Sequence, residues 1–279
     1  MSIFTIRLGE STVAITCDDS QALEFLSFLF GDVSDDTGND APSHTLSLHY
    51  LEESGTWHLT DNDQTIHRGE LNVCFAAKLY DIVIYHLLNK ASSTIALHAG
   101  AVVHNENVIL LPGISGAGKS SLTAWLIAKG GSYLSDELIS VSITDPGHVY
   151  YFSRPICLKP GSIPLIEQMP ITASSPPMLL DSFGAVVPHR LLNPEFNPVT
   201  APPAIILFPD FQADSQPHLE PISTARATTL LMGCLVNARN LENHGFRQIL
   251  KLVGTTSAYR LRYRTFQEAE TCLKDIFAW

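Results

Sequence analysis

Gly113-Ile114-Ser115-Gly116-Ala117-Gly118-Lys119-Ser120 decides how this chain is read, because it completes a G-x-x-x-x-G-K-S pattern. Glycines at these places let the backbone turn so that successive amides point inward, a concavity that suits phosphate oxygens. The flanking residues supply the setting such a loop needs. Val108-Ile109-Leu110-Leu111 is an apolar strand running into Pro112, and Lys119 to Lys129 reads as a helix stopped by Gly130-Gly131. A helix opening at Lys119 adds unsatisfied amides and the positive end of its dipole. The pattern predicts a phosphate-binding P-loop made of Gly113, Ser115, Gly116, Ala117, Gly118, Lys119, Ser120 and Ser121. Lys119 would reach the β- and γ-phosphates and the Ser120 hydroxyl would ligate Mg²⁺, so ATP and Mg²⁺ are the expected cofactors.

Working outward, Asp136-Glu137 follows the helix at the point where the next strand should emerge beside the phosphates. Adjacent carboxylates there can hold Mg²⁺ or take a proton from an attacking hydroxyl; apart from the loop they would read as a turn. On the other side, Ile95 to Val103 reads as a strand turning at Asn105-Glu106-Asn107. His98 lies on it between Leu97 and Ala99, either as a hydrogen-bonded core residue or as part of the site.

His98-Ala99-Gly100, the G-x-S-G-x-G-K-S-S run from Gly113 to Ser121, and Leu134-Ser135-Asp136-Glu137 together resemble the HPr kinase/phosphorylase family. That family has a His-Gly strand, a similar loop and a Val-Ala-Asp-Asp segment in the same order. Over residues 94–160 the chain is most similar to the smaller HPr-kinase-related proteins that lack the large sensor domain. The resemblance implies an α/β P-loop kinase core of the kind shared with phosphoenolpyruvate carboxykinase. It implies Asp136 as catalytic base, Glu137 where the family has its second Asp, Ser120, Asp136 and Glu137 around the metal, and His98 near the transferred phosphate. Ser153-Arg154-Pro155-Ile156-Cys157-Leu158-Lys159 resembles a segment beside the site, which makes Arg154 and Lys159 candidates for binding phosphate or an acidic substrate, with plain solvation as the alternative. Glu167, and Asn237-Ala238-Arg239 with Gly245-Phe246, resemble further family elements. The implied activity is ATP- and Mg²⁺-dependent transfer of the γ-phosphoryl group to a hydroxyl, on a Ser side chain or a small molecule. The alternative is a non-catalytic nucleotide-binding sensor module. HPr kinases form hexamers, so a homo-oligomer falls within the expectation.

Residues 1–91 read as a small N-terminal α+β lobe. Strands over 2–8 and 11–17 flank Gly9-Glu10, and a helix runs from Gln21 to Phe30. A polar loop spans Asp32 to Ser43, a hairpin joins Thr45–Leu51 to Thr56–Leu59, and an amphipathic helix covers 71–90. A boundary near Ala91-Ser92-Ser93 leaves 92–279 as the P-loop domain. Fourteen of the 17 prolines fall between Pro155 and Pro221, so 154–221 should hold loops, edge strands and turns, forming a lid or substrate platform. Helices over Ala225–Asn237, Gly245–Val253 and Phe266–Phe277 and a strand over Ser257–Arg264 complete the reading.

Composition narrows the classes. A chain that is 45% hydrophobic and 16% charged builds a core rather than a disordered or coiled-coil protein. Its apolar runs are too short for a bilayer and its start lacks a signal-peptide pattern, so neither a membrane nor export is expected. Five scattered cysteines read as buried thiols of a reducing cytoplasm rather than a zinc site or disulfides. The net charge of −11 is confined to residues 1–70, where 13 acids meet two bases, and such an acidic surface disfavours nucleic acid. Arg260, Arg262 and Arg264 alternate along one strand face, answered by the acidic lobe, a phosphorylated substrate or solvent.

Overall fold

The computed structural model describes residues 2–35, 41–145, 147–163, 178–196, 198, 201–212, 214–274 and 276 of a mixed α/β chain. The first strands are β1 (Ser2–Leu8) and β2 (Ser11–Cys17), paired antiparallel through a turn at Gly9. Helix α1 (Ser20–Phe30) starts where the Asp19 carboxylate accepts the Gln21 amide at 2.6 Å, and it buries Ala22, Phe25, Leu26, Leu29 and Phe30 at helical spacing. Strand β3 (His44–Leu51) runs parallel to β2, then β4 (Thr56–Asp61) and β5 (Gln64–Gly69) follow antiparallel, giving the order β1-β2-β3-β4-β5. β5 is absent from the sequence reading because Ile66 is its one large apolar residue, which hides the alternation. The available signal was Asn62-Asp63, whose φ values of 47 and 63° close a two-residue hairpin turn. Helix α2 (Val73–Leu88) contacts β2 and β5 of this sheet.

The second unit begins with β6 (Thr94–His104) and β7 (Asn107–Pro112), a hairpin closed by Asn105-Glu106 at φ 48 and 63°. Helix α3 (Lys119–Ala128) follows, then β8 (Ser132–Ser135), β9 (Leu138–Ser142) and β10 (Val149–Tyr151). The chain then contributes to the first unit again. β11 (Ile156–Leu158), β12 (Leu179–Asp181) and β13 (Gly184–Val187) form a three-stranded sheet in the order β11-β13-β12, which contacts α2. The first unit is therefore Met1–Ala91 with Ser153–Ile163 and Pro176–Pro188, two segments that the sequence reading had placed within 92–279. Asp181 ties them in, its carboxylate accepting the Val73 amide at the start of α2 at 3.1 Å. Such a cap is worth about 1 kcal/mol.

Strands β14 (Pro203–Phe211), β15 (His218–Pro221) and β16 (Ser257–Tyr263) complete the second unit's sheet, ordered β10-β9-β6-β7-β14-β16-β15 with β8 also on β6. β14 corrects the expectation for the proline-rich segment. It is nine residues long and central, parallel to both β7 and β16. Its prolines are tolerated by position, since Pro203 opens the strand and Pro209 lies beyond Ile206, the last residue in register with β7. Odd residues of β6 from Ile95 to Val103 share a core with α4 (Thr224–Met232) and α5 (Phe246–Gly254). Even residues face α3, and α6 (Phe266–Leu273) lies on that side, with Phe266 stacked on Trp125 at 5.6 Å. The helix expected to reach Asn237 stops at Met232, ahead of Gly233.

The arginine stripe is answered within its own unit. Arg260 and Arg262 meet Asp210 of β14 at 2.8 and 3.4 Å, and Arg264 pairs with Glu268, the Nε–Oε1 distance being 3.0 Å. These partners were not among the three alternatives the sequence left open, the acidic lobe, a phosphorylated substrate or solvent. Among the described residues no helix is long and apolar enough to cross a membrane.

Close approach of α3 to β6 depends on Gly100, where a Cβ would lie 2.3 Å from Thr123 Oγ1. Gly100→Ala should cost about 1–3 kcal/mol in chemical denaturation, the usual cost of overpacking. Adding Thr123→Ala should recover part of that loss; strictly additive losses would contradict the contact.

Candidate functional site

Strand β7 delivers the chain into the glycine loop, where Gly116 and Gly118 take φ 91 and 90°. Helix α3 starts at Lys119 with Gly118 as its N-cap, and no side chain caps it there. Gly118 is required twice over. Besides its φ, a Cβ would sit 2.5 Å from the Tyr263 hydroxyl and 3.0 Å from Phe211 Cβ. Tyr263 donates its hydroxyl to the Gly118 carbonyl at 3.3 Å, and the Phe211 amide donates to the Ala117 carbonyl at 3.1 Å. Burial raises the Tyr263 phenol well above its ordinary pKa, so it stays a donor. The ends of β14 and β16 thus support the loop from below, while a Cβ at Gly116 would meet nothing within 4 Å.

At the first residue of α3 the structure brings three of the expected side chains together. Lys119 Nζ lies 2.9 Å from His98 Nε2, and His98 Nδ1 lies 2.7 Å from Glu137 Oε1. Lys119 Nζ and Glu137 Oε2 are 4.0 Å apart. A protonated lysine offers only donors and an ionised carboxylate only acceptors. One neutral tautomer satisfies both contacts: His98 donates from Nδ1 to Glu137 and accepts from Lys119 at Nε2. The lysine side chain is 8% exposed and that of Glu137 30%.

Three backbone arrangements hold this line. On one side of β6 the pairing passes from β8 at Ala101 to β9 at His98, and the Asp136-Glu137 corner fills the break. Ser135 fixes the corner by accepting the Glu137 and Leu138 amides at 3.4 and 3.1 Å, while its hydroxyl donates to the Phe152 carbonyl at 3.2 Å. On the other side, β7 leaves β6 at Ala99 to enter the loop, and residues 234–237 take over the vacated edge. The His98 amide donates to the Cys234 carbonyl at 2.7 Å, and the Val236 amide to the Ala96 carbonyl at 2.9 Å. The Asn237 side chain then bonds the Ala96 amide and the Thr94 carbonyl at 3.0 and 2.9 Å. Burial pushes the Cys234 thiol up, against the pull of the Lys119 charge and a Gly113 backbone hydrogen bond. Ser135, Cys234 and Tyr263 carry no local motif, and their roles arise from contacts far along the chain.

Asp136 is 0% exposed, while its neighbour Glu137 meets His98 and stands 4.0 Å from Lys119. Arg154 belongs to the first unit and is 2% exposed. Its Nη1 donates to the Pro155 carbonyl at 2.8 Å and to Cys157 Sγ at 3.2 Å, and its guanidinium lies 4.1 Å over the Tyr80 ring. Lys159 is exposed on that unit, and Glu167 lies outside the described residues. The cysteines are not uniformly buried: Cys74 is exposed, and Cys157 and Cys272 are partly so.

The donor set fits a polyphosphate with Mg²⁺. An uncapped helix start, a lysine and an open loop suit anionic oxygens, and the Ser120 hydroxyl with a carboxylate oxygen suits a hard cation. No family model matches the chain, and no curated protein matches it. Among solved structures, the Hpr(Ser) kinase/phosphatase from Coxiella burnetii is similar at 12% identity with a TM-score of 0.33, over 65% of this chain and 95% of that one.

The hydrogen-bond line sets the tautomer of His98. Imidazole ¹⁵N spectra at mildly alkaline pH should show His98 protonated at Nδ1, and Glu137→Gln should weaken that preference. A dominant Nε2-protonated form in the unaltered chain would contradict the geometry.

Proposed function

We propose that this chain is a nucleotide-dependent kinase that transfers a phosphoryl group from ATP to a hydroxyl, on a serine side chain or a small molecule. The observation that carries the reading is the line Glu137–His98–Lys119 at the uncapped start of α3. When bound, Mg²⁺-ATP would supply the transferable phosphoryl group and the metal charge. The loop amides and first turn of α3 bind anionic charge, and Lys119 adds a positive charge that a phosphate can take over from Glu137. Ser120 would offer its hydroxyl oxygen to the metal, which leaves Glu137 for the proton. Glu137, the partly exposed carboxylate of the corner, accepts the proton of the acceptor hydroxyl, and His98 holds Glu137 and Lys119 in place through its two ring nitrogens.

Mg²⁺-ATP should stabilise the chain against heat, by about 2.7 kcal/mol at a hundredfold excess over Kd, and Lys119→Ala should remove most of that gain. No stabilisation of the unaltered chain would end the nucleotide assignment. For the chemistry, label from γ-phosphate should pass to an acceptor in cell extract. Glu137→Gln should lower transfer by about 10²–10⁴-fold while the thermal shift by nucleotide persists. Unchanged transfer in Glu137→Gln would remove that residue from the proton's path. Binding without transfer to any acceptor would instead support the non-catalytic sensor module.

A further inference from the structure

In the first unit, three side chains from three elements converge without any local sequence motif. His44 opens β3, Asp61 closes β4, and His86 lies in the last turn of α2. Asp61 stands directly opposite Leu46 in the antiparallel β3–β4 pair, so the two share a face of the sheet. His44, two residues before Leu46, lies on that face as well. Helix α2 covers it and brings His86 to its edge. The three side chains are all half-buried, and their ligand atoms lie within 4.8 Å of one another.

From this arrangement we infer that His44, Asp61 and His86 form a binding site for a divalent transition-metal ion of the zinc class. His44 Nε2 is 3.0 Å from Asp61 Oδ1, and His86 Nε2 is 3.5 Å from Asp61 Oδ2. Ligands at ~2.05 Å in a tetrahedron stand ~3.3 Å apart; the two histidines lie near that distance from different oxygens of Asp61, so a small turn of the carboxylate would bring one oxygen to both. The imidazole rings are stacked at 3.6 Å between centroids and 7° between planes, so in-plane ligation of one ion by both nitrogens requires the rings to open out of the stack. Asn62 donates to Asp61 Oδ1 at 2.9 Å, the kind of outer contact that orients a ligating carboxylate. Two imidazoles and one carboxylate favour Zn²⁺, Co²⁺, Ni²⁺ or Cu²⁺ over Mg²⁺ or Ca²⁺, which prefer oxygen-only sets. The partial exposure leaves a fourth position for water. The surrounding charge also favours a cation, since residues 1–70 carry 13 acids and two bases. This site is independent of the phosphotransfer reading and shares no residue with it.

The test uses the full chain, free of affinity tags and stripped with chelator, titrated with Zn²⁺ and with Co²⁺. One equivalent should bind at micromolar or lower free Zn²⁺ in the presence of millimolar Mg²⁺, and Co²⁺ should give the visible absorption of a four-coordinate site. The double variant His44→Ala/His86→Ala should lose that equivalent while keeping its circular dichroism. Asp61→Asn should weaken binding by at least the ~10–100-fold that follows loss of an outer-shell partner. Should the double variant not fold, Zn²⁺ titration of the unaltered chain followed by imidazole ¹⁵N signals decides the matter, and His44 and His86 must both shift. Less than one equivalent bound, retention of the ion in the folded double variant, or no shift of these two histidines would overturn the assignment.

Discussion

An ammonium group withdrawn from water has to be answered by charge or hydrogen bonds, and Lys119 is such a group. Its partners are partly exposed, and they answer the lysine with hydrogen bonding and charge at the margin of solvent. They are His98, on the face of β6 turned toward α3, and Glu137, at the break between β8 and β9. Each needs the backbone around it. β6 must be flanked by β9 on one side and by residues 234–237 on the other, and the loop must be short enough for α3 to begin over His98. Much of the second unit's topology follows from satisfying one lysine beside a loop that must stay open.

How far this could be read in advance depended on the range of the interactions. The hairpin of β6 and β7, the loop and α3 were all legible, because apolar runs and glycines mark them within a few residues. β5 was not, since its polar composition removes the period-two signal. β14 was misread because proline counts were taken over a whole segment, whereas a proline's effect depends on the one hydrogen bond it removes. The arginine stripe was seen as a stripe, but Asp210 is some fifty residues upstream and only the parallel β14–β16 pairing brings it alongside.

The site was legible in part for the same reason. Lys119, His98 and the acidic corner lie on elements with strong local signatures. That Glu137 meets His98 depends on the register at which β6 changes partner, and no spacing of residues encodes that. The histidine–aspartate cluster lay beyond sequence reasoning altogether. Its members come from two strands and a helix, and a search for C-x-x-C or H-x-x-x-H spacing passes over it.

The first unit is assembled from discontinuous stretches of chain, and synthesis has to contend with that. Residues 1–91 leave the ribosome long before β11, β12 and β13, which arrive only after the glycine loop and α3 have been made. Until then Tyr80 lacks the guanidinium that covers it and the start of α2 lacks the carboxylate of Asp181. The N-terminal part of the nascent chain must therefore wait, incompletely covered, for roughly the time needed to add a hundred residues, several seconds or more at ordinary rates of synthesis. A gene fragment cut at the apparent boundary near residue 91 would encode only this waiting state.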